Sequence, residues 1–241
     1  MELIRAENVI KNYQNTQVLK SIDLTVNEGE FVGIMGKSGS GKTTLLKIMG
    51  MIEPVTDGKV FYERDNVERI SGKEAARIRR EELGFVFQEF FLMDSLTVLE
   101  NVMLPLFISK SADKSGKERA EKFIRKFGIE GLEKKMPDEL SGGERQRTAI
   151  CRALMNNPRI VFADEPTGNL DSKSGKVVID ALEAINKEFK KTVIMVTHDP
   201  QMASHCDRII LLKDGKILGQ MEKQSGNEEF YKEIIERMID L

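Results

Sequence analysis

Cysteine is nearly absent from this chain: Cys151 and Cys206 are the two that occur in 241 residues. They form no close pair and no ligand cluster, which argues against a disulfide scaffold and fits reduced thiols in a cytosolic protein. Long apolar runs are missing as well. The longest, such as Ile209–Leu212, are strand-sized, far from the roughly 20 apolar residues a spanning helix needs. Insertion of this chain into a membrane is therefore not expected. Neither sign of charge dominates, since 37 Lys and Arg face 39 Asp and Glu for a net charge of −2. Bulk attraction to nucleic acid or to anionic lipid is not expected either. Met1 to Lys11 carries Glu2, Arg5 and Glu7 without an apolar run, so no signal peptide is expected. Repeats and low-complexity segments are lacking. What is present is ordinary globular composition, 40% apolar and 32% charged, with length for one large domain or a core with a smaller lobe.

Five short apolar runs read as strands buried on both faces: Glu30–Met35, Gly84–Phe87, Arg159–Ala163, Thr192–Val196 and Arg208–Leu212. Helical patterns separate several of them. In Asp171–Phe189 the residues Val178, Leu182, Ile185 and Phe189 share one face, and Asp171 or Ser172 can cap the start. This alternation predicts an α/β fold with a largely parallel sheet. Four of the strands are followed at once by polar residues: a glycine loop after Met35, Gln88 after Phe87, Asp164-Glu165 after Ala163 and Thr197-His198-Asp199 after Val196. Parallel sheets bind ligands at the carboxyl ends of their strands, so these groups are expected to converge. From about Glu89 to Asn156 the pattern is mainly helical, over Val98–Leu104, Lys117–Phe127 and Glu144–Met155, with an exposed turn at Lys110–Gly116. That segment reads as a lobe inserted between two core strands.

Gly36-Lys37-Ser38-Gly39-Ser40-Gly41-Lys42-Thr43, after a strand and before a helix, has the spacing of a phosphate-binding loop. Its glycines let backbone N–H groups approach phosphate oxygens, and the helix presents its positive end. Lys42 is placed to reach the β- and γ-phosphates, and the Thr43 hydroxyl to bind Mg²⁺. Asp164 is the matching carboxylate for the metal, with Glu165 beside it as candidate general base. Ser141-Gly142-Gly143-Glu144 is a capping box in its own right. Capping does not require two glycines, however, and bare amides at a helix start form an anion site; both readings hold together.

With Leu140 before it and Arg145-Gln146-Arg147 after it, that stretch resembles the signature of ABC transporter ATPases, and the resemblance extends across most of the chain. It implies a P-loop NTPase core with a mainly parallel sheet, flanking helices and an N-terminal antiparallel β subdomain, plus an inserted α-helical subdomain. The whole of 1–241 is then one domain: core over 1–88 and 157–220, helical signature subdomain over 89–156, C-terminal helix over 221–241. ATP is implied in the loop Gly36–Thr43 with Thr44, Tyr13 stacks on adenine, and Ser141, Gly142, Gly143 and Glu144 complete the site in trans on the other copy's nucleotide. Gln88 matches the loop glutamine that senses Mg²⁺ and the attacking water, His198 the switch histidine near the γ-phosphate. Asn169-Leu170-Asp171 matches the loop crossing the dimer interface. Outside that register, Tyr13 is equally a surface aromatic and His198 a structural residue. One phosphate loop and one signature per chain imply a homodimer formed on ATP binding.

Within the family, Ser95–Val102 followed by Leu104-Pro105-Leu106, and Asp164–Lys173, resemble the group serving macrolide exporters, lipoprotein-release complexes and bacitracin or lantibiotic resistance transporters. Asp94 and Ala203–Cys206 resemble the peptide-antibiotic branch, which implies an FtsX-like permease as partner and a peripheral position at the inner face of the cell membrane. Phe90–Met93 reads either as packing within the helical lobe or as a seat for a partner's coupling helix. The amphipathic segment Asn227–Leu241, acidic on its polar face, reads as docked on its own core. Two alternatives remain: a soluble ABC protein of DNA repair or translation, which usually has coiled-coil insertions or tandem cassettes, and a P-loop kinase or GTPase, which has no need of Ser141–Glu144. Asn186-Lys187-Glu188-Phe189 approaches a guanine-reading motif, but Phe replaces its final Asp.

Overall fold

Side chains along each central strand alternate between the two faces of a sheet. In the computed structural model, which describes residues 1–238, that alternation divides the core in two. Phe31 and Met35, Val161 and Ala163, Val193 and Met195, and Ile209 and Leu211 lie on one face. Val32 and Ile34, Ile160 and Phe162, Ile194 and Val196, and Ile210 and Leu212 lie on the other. Both faces are covered, which is why these strands read as continuous apolar runs.

The chain opens on a long hairpin, β1 (Glu2–Tyr13) and β2 (Thr16–Asn27), followed by β3 (Phe31–Met35) and helix α1 (Lys42–Met49). Next come β4 (Asp57–Tyr62), the short β5 (Asp65–Asn66), α2 (Gly72–Glu81) and β6 (Leu83–Phe87). Three helices, α3 (Val98–Ile108), α4 (Lys114–Lys126) and α5 (Gly142–Leu154), stand between β6 and β7 (Ile160–Asp164). The remainder is α6 (Ser172–Lys187), β8 (Thr192–Thr197), the one-turn α7 (Pro200–Ala203), β9 (Arg208–Lys213), β10 (Lys216–Glu222) and α8 (Asn227–Met238).

The main sheet has the order β10-β9-β3-β8-β7-β6. All its pairings are parallel except the β9–β10 hairpin at one edge. A second sheet, β2-β1-β4-β5, is antiparallel and covers the face that also carries α1. The five expected core strands each appear with ends within one residue of those read from sequence. β3 and β8 neighbour one another, and β7 and β6 follow, so the four functional strand ends share one edge.

Differences from the sequence reading lie in the helices. α3 runs on to Ile108 through Pro105 at the loss of one helical rung. α4 begins at Lys114, inside the stretch read as a turn, because Asp113 accepts a hydrogen bond from the Gly116 amide and caps it. α2 was not foreseen; its face is polar apart from the buried Ile78. α8 docks through the fully buried Phe230 and Ile234; the reading to Leu241 includes 239–241, which lie outside the described residues. Among the described residues no helix is long and apolar enough to cross a membrane.

Candidate nucleotide site

The segment between β3 and α1 curls tightly because two glycines allow it. A Cβ on Gly36 would lie 2.1 Å from the Leu212 carbonyl oxygen, so no larger residue fits against β9. Gly41 caps α1 at φ 103, without a side-chain cap of its own, a conformation that strains any residue with a Cβ. The first amides of α1 are thereby left for a ligand. The Lys42 ammonium folds back and donates to the carbonyls of Gly36 (2.9 Å) and Lys37 (3.1 Å). A strut from the far edge of the sheet supports the loop: the Gly215 amide donates to the Ser40 carbonyl at 3.1 Å.

Across the cleft stands the end of β7. The Thr43 hydroxyl donates to Asp164 Oδ1 at 2.9 Å. Burial, with neighbouring Glu165 adding to it, pushes the Asp164 carboxyl above its ordinary value, and the Thr43 hydrogen bond works against the shift. Glu165 leaves the strand in the left-handed region at φ 44. Its amide is pinned by the Val196 carbonyl at 2.9 Å, and its carboxylate reaches the His198 ring at Nδ1 (2.9 Å) while lying 3.9 Å from the Lys42 ammonium. The left-handed angle turns the Glu165 side chain toward the end of β8, where the Val196 and His198 contacts hold it.

The cleft so formed holds about 790 Å³, within the range for a nucleotide-sized ligand. Of the residues expected to act, Gly36, Lys37, Ser38, Gly39, Gly41, Lys42, Thr43, Thr44, Gln88, Glu165 and His198 line it. Asp164 stands one hydrogen bond behind Thr43. Ser40 is buried, its hydroxyl unpartnered among the described residues. Tyr13 lies off the cleft wall, half-exposed, with its hydroxyl bonded to Glu53 and set beside Thr44. Burial, then Glu53, raises its phenol above the usual range. Hard oxygens at Thr43 and Asp164, the latter a half-buried carboxylate without an ion pair among the described residues, are donors that suit a small divalent cation.

Sequence reasoning missed Val18 and Met238, which also line the cleft. Nothing local marks either one: Val18 lies on a hairpin and Met238 at the end of α8, and only tertiary packing delivers them.

Gln88 and Asn169 are joined directly. Gln88 Nε2 donates to Asn169 Oδ1 at 3.1 Å, and Asn169 Nδ2 to the Gln88 carbonyl at 3.2 Å. Asp171 caps α6 by accepting from the amides of Lys173 and Ser174. α5 begins beside this loop: Gln146 Nε2 donates to the Pro166 carbonyl at 2.8 Å, and a Cβ on Gly142 or Gly143 would press on the side chains of Leu170 (3.0 Å) or Ser174 (3.1 Å). Ser141 caps α5 in a box with Glu144, whose carboxyl is held below its ordinary value by those hydrogen bonds. None of Ser141–Glu144 lines the cleft of its own chain.

The family model for ABC transporters matches residues 19–168. The chain belongs to the ABC transporter family. Among ABC relatives, a bacitracin export ATP-binding protein of Halalkalibacterium halodurans is 43% identical over 240 residues, covering 98% of this chain and 95% of that protein. A lipoprotein-releasing system ATP-binding protein of Aquifex aeolicus is 46% identical over 222 residues, covering 92% and 99%. Among solved structures, a dimeric post-hydrolysis state of an ATP-binding cassette of Methanocaldococcus jannaschii, bound to ADP and Pi, superposes with TM-score 0.85. It is 41% identical and covers 92% of this chain and all of that one. The fold is thus that of an ABC cassette, and the chain is an ATP-binding, ATP-hydrolysing subunit of an ABC transporter.

Proposed function

We propose that this ABC ATPase powers an FtsX-like permease in resistance to, or export of, bacitracin- or lantibiotic-type peptides. The observation that carries the ATPase half is one cleft joining the phosphate loop, Glu165 and His198, with Asp164 bonded behind Thr43, while excluding the signature of the same chain. A site lacking its signature calls for a second copy, so ATP and Mg²⁺ join two chains, each ATP held by Gly36–Thr44 of one protomer and Ser141–Glu144 of the other. Asn169, Leu170 and Asp171 cross that interface. Thr43, Gln88 and Asp164 would hold Mg²⁺, which would screen phosphate charge. Glu165 takes the proton of the attacking water, and His198 orients Glu165 and meets the γ-phosphate. Lys42 turns from its loop carbonyls to the phosphates when they arrive. Tyr13 stacks on adenine from the rim beside Thr44. The core and the helical lobe, 89–156, close as two bodies about Gln88.

The cargo class rests on the similarity to the bacitracin export protein along nearly the full chain. The permease is proposed to dock in a groove of about 580 Å³ between β6, α2, α3 and α5. Its walls pair Phe87, Phe91, Leu104 and Ile108 with Arg79 and Arg80, which suits a cytoplasmic helix carrying apolar residues and carboxylates. Docking there holds the subunit at the inner face of the cell membrane. The test is co-expression with an FtsX-like permease from the same genome. The reading requires co-purification from membranes, and raised peptide sensitivity when Glu165→Gln replaces the native subunit. A subunit that stays in the soluble fraction, with unchanged sensitivity, contradicts it.

A further inference from the structure

The loop after Gln88 carries an unusual pair. Phe90 and Phe91 both adopt left-handed backbone, φ 59 and 45, a conformation that is strained for a bulky side chain. Two consecutive residues hold such angles only when their surroundings enforce them. The Phe90 and Phe91 amides close the turn by donating to the carbonyls of Phe87 (3.2 Å) and Glu89 (2.6 Å), and Arg152 on α5 clamps it from outside. Its guanidinium donates from Nη1 to the Phe91 carbonyl at 2.5 Å and from Nη2 to the Phe90 carbonyl at 2.8 Å. A planar fork meets two successive carbonyls, a geometry that a lysine ammonium does not reproduce.

This clasp changes which body the chain follows. Gln88 is tied to Asn169 on the loop after β7. Phe90, two residues on, is tied to α5. Asn101 on α3 then holds the next stretch, its amide donating to the carbonyls of Met93 and Leu96 and its Oδ1 accepting from the Met93 amide. Anchorage thus passes from core to helical lobe across Glu89. The Phe91 ring, 61% exposed, reaches back over the core strand β6 and meets Phe87 edge-on with centroids 5.2 Å apart. Both rings line the docking groove. When α5 moves relative to the core, Arg152 carries the Phe91 backbone with it, and the ring must slide across Phe87.

We propose that Arg152 is a positioning residue that converts motion of the signature helix into a change of shape in the permease groove, with the Phe91 ring as the moving wall. The inference rests on the groove's being the permease seat.

The test uses the subunit co-purified with its permease, reading ATP turnover with permease relative to each variant's own turnover without it. Arg152→Met keeps the apolar stem and removes both donors. The expectation is a loss of permease-dependent stimulation of about fivefold, the scale of mutations within a coupling network. Phe91→Ala is expected to lose as much, and Phe107→Ala, an exposed aromatic outside the groove, to lose none. Full stimulation in an assembled Arg152→Met complex overturns the inference. A wild-type subunit that never assembles with the permease defeats the docking reading instead, and hydrogen exchange on the subunit alone then decides. Amides of Phe90–Leu92 responding to ATP together with α5 uphold the clasp; α5 responding while Phe90–Leu92 stay unchanged overturns it. Exchange also decides if Arg152→Met fails to fold.

Discussion

The Glu165 carboxylate stands 2.9 Å from Nδ1 of the His198 ring, although the two residues end different strands of the sheet. β7 and β8 pair in parallel and in register from Ile160 with Thr192 to Asp164 with Val196, so the residues just past each strand end are delivered side by side. A candidate base held by a neighbouring ring needs little reorganisation to meet a water in the cleft.

Replacing that base while keeping its shape is the first check. Glu165→Gln is expected to retain ATP binding and lower turnover by about 10² or more, the usual contribution of a general base. Steady-state phosphate release measures it. Near-normal turnover assigns the proton to another group.

Asp164 presents an electrostatic trade-off. Its folded carboxyl titrates above the ordinary value of 3.8 because burial disfavours the charge. A raised acid favours the protonated fold, so stability is greatest below the unfolded value and falls as pH rises through the folded one. At neutral pH and without Mg²⁺ the charge is a net burden. Asp164→Asn should therefore raise the melting temperature at pH 7 by a few degrees at most, about the scale of an ordinary single stabilising substitution. The gain should shrink as pH falls through the folded value and vanish only below 3.8, the ordinary value. The variant should also lose stabilisation by ATP with Mg²⁺. Calorimetry at the two pH values, with and without nucleotide, reads both effects.

Gly36 and Gly39 separate packing from backbone strain. A Cβ at Gly36 meets the Leu212 carbonyl, whereas at Gly39, φ 80, it meets open space. Gly36→Ala is expected to displace the loop from β9 and abolish binding of a fluorescent ATP analogue. Gly39→Ala should cost about 1–2 kcal/mol of stability through its left-handed backbone and retain measurable binding. Equal losses in both would indicate that the β9 contact is unimportant.

The Gln88–Asn169 clasp predicts a split between binding and turnover. Asn169→Ala frees the glutamine side chain without touching the phosphate loop. The Kd for ATP should remain within about twofold, while kcat falls about tenfold, as for a lost positioning contact of roughly 1.4 kcal/mol. Equilibrium binding and steady-state kinetics on the same preparation distinguish the two.

Much of this was legible in the sequence because the relevant signals are local. Glycine spacing, a Lys-Thr pair and polar residues directly after apolar runs each fix their own surroundings, and the parallel sheet brings them to one edge. What the sequence hid depends on tertiary pairing. The bond between Gln88 and Asn169 spans 81 positions, and no periodicity links them. Arg152 lies on a helix whose start was clear, yet its carbonyl partners sit on a loop whose left-handed angles no residue type announces, since phenylalanine is a poor choice for them. Met238 reaches the cleft through the docking of α8 on Phe230 and Ile234. The start of α4 was missed because Asp113 caps a helix in a stretch whose Ser and Gly read as a turn.

The central claim is that each nucleotide is shared. A structure of Glu165→Gln trapped with ATP and Mg²⁺ tests it most directly. The account predicts a two-fold dimer with two nucleotides, each γ-phosphate within hydrogen-bond distance of the Ser141 hydroxyl and the Gly143 amide of the partner subunit. ATP held by a monomer, or a dimer in which those groups lie far from both γ-phosphates, would contradict it.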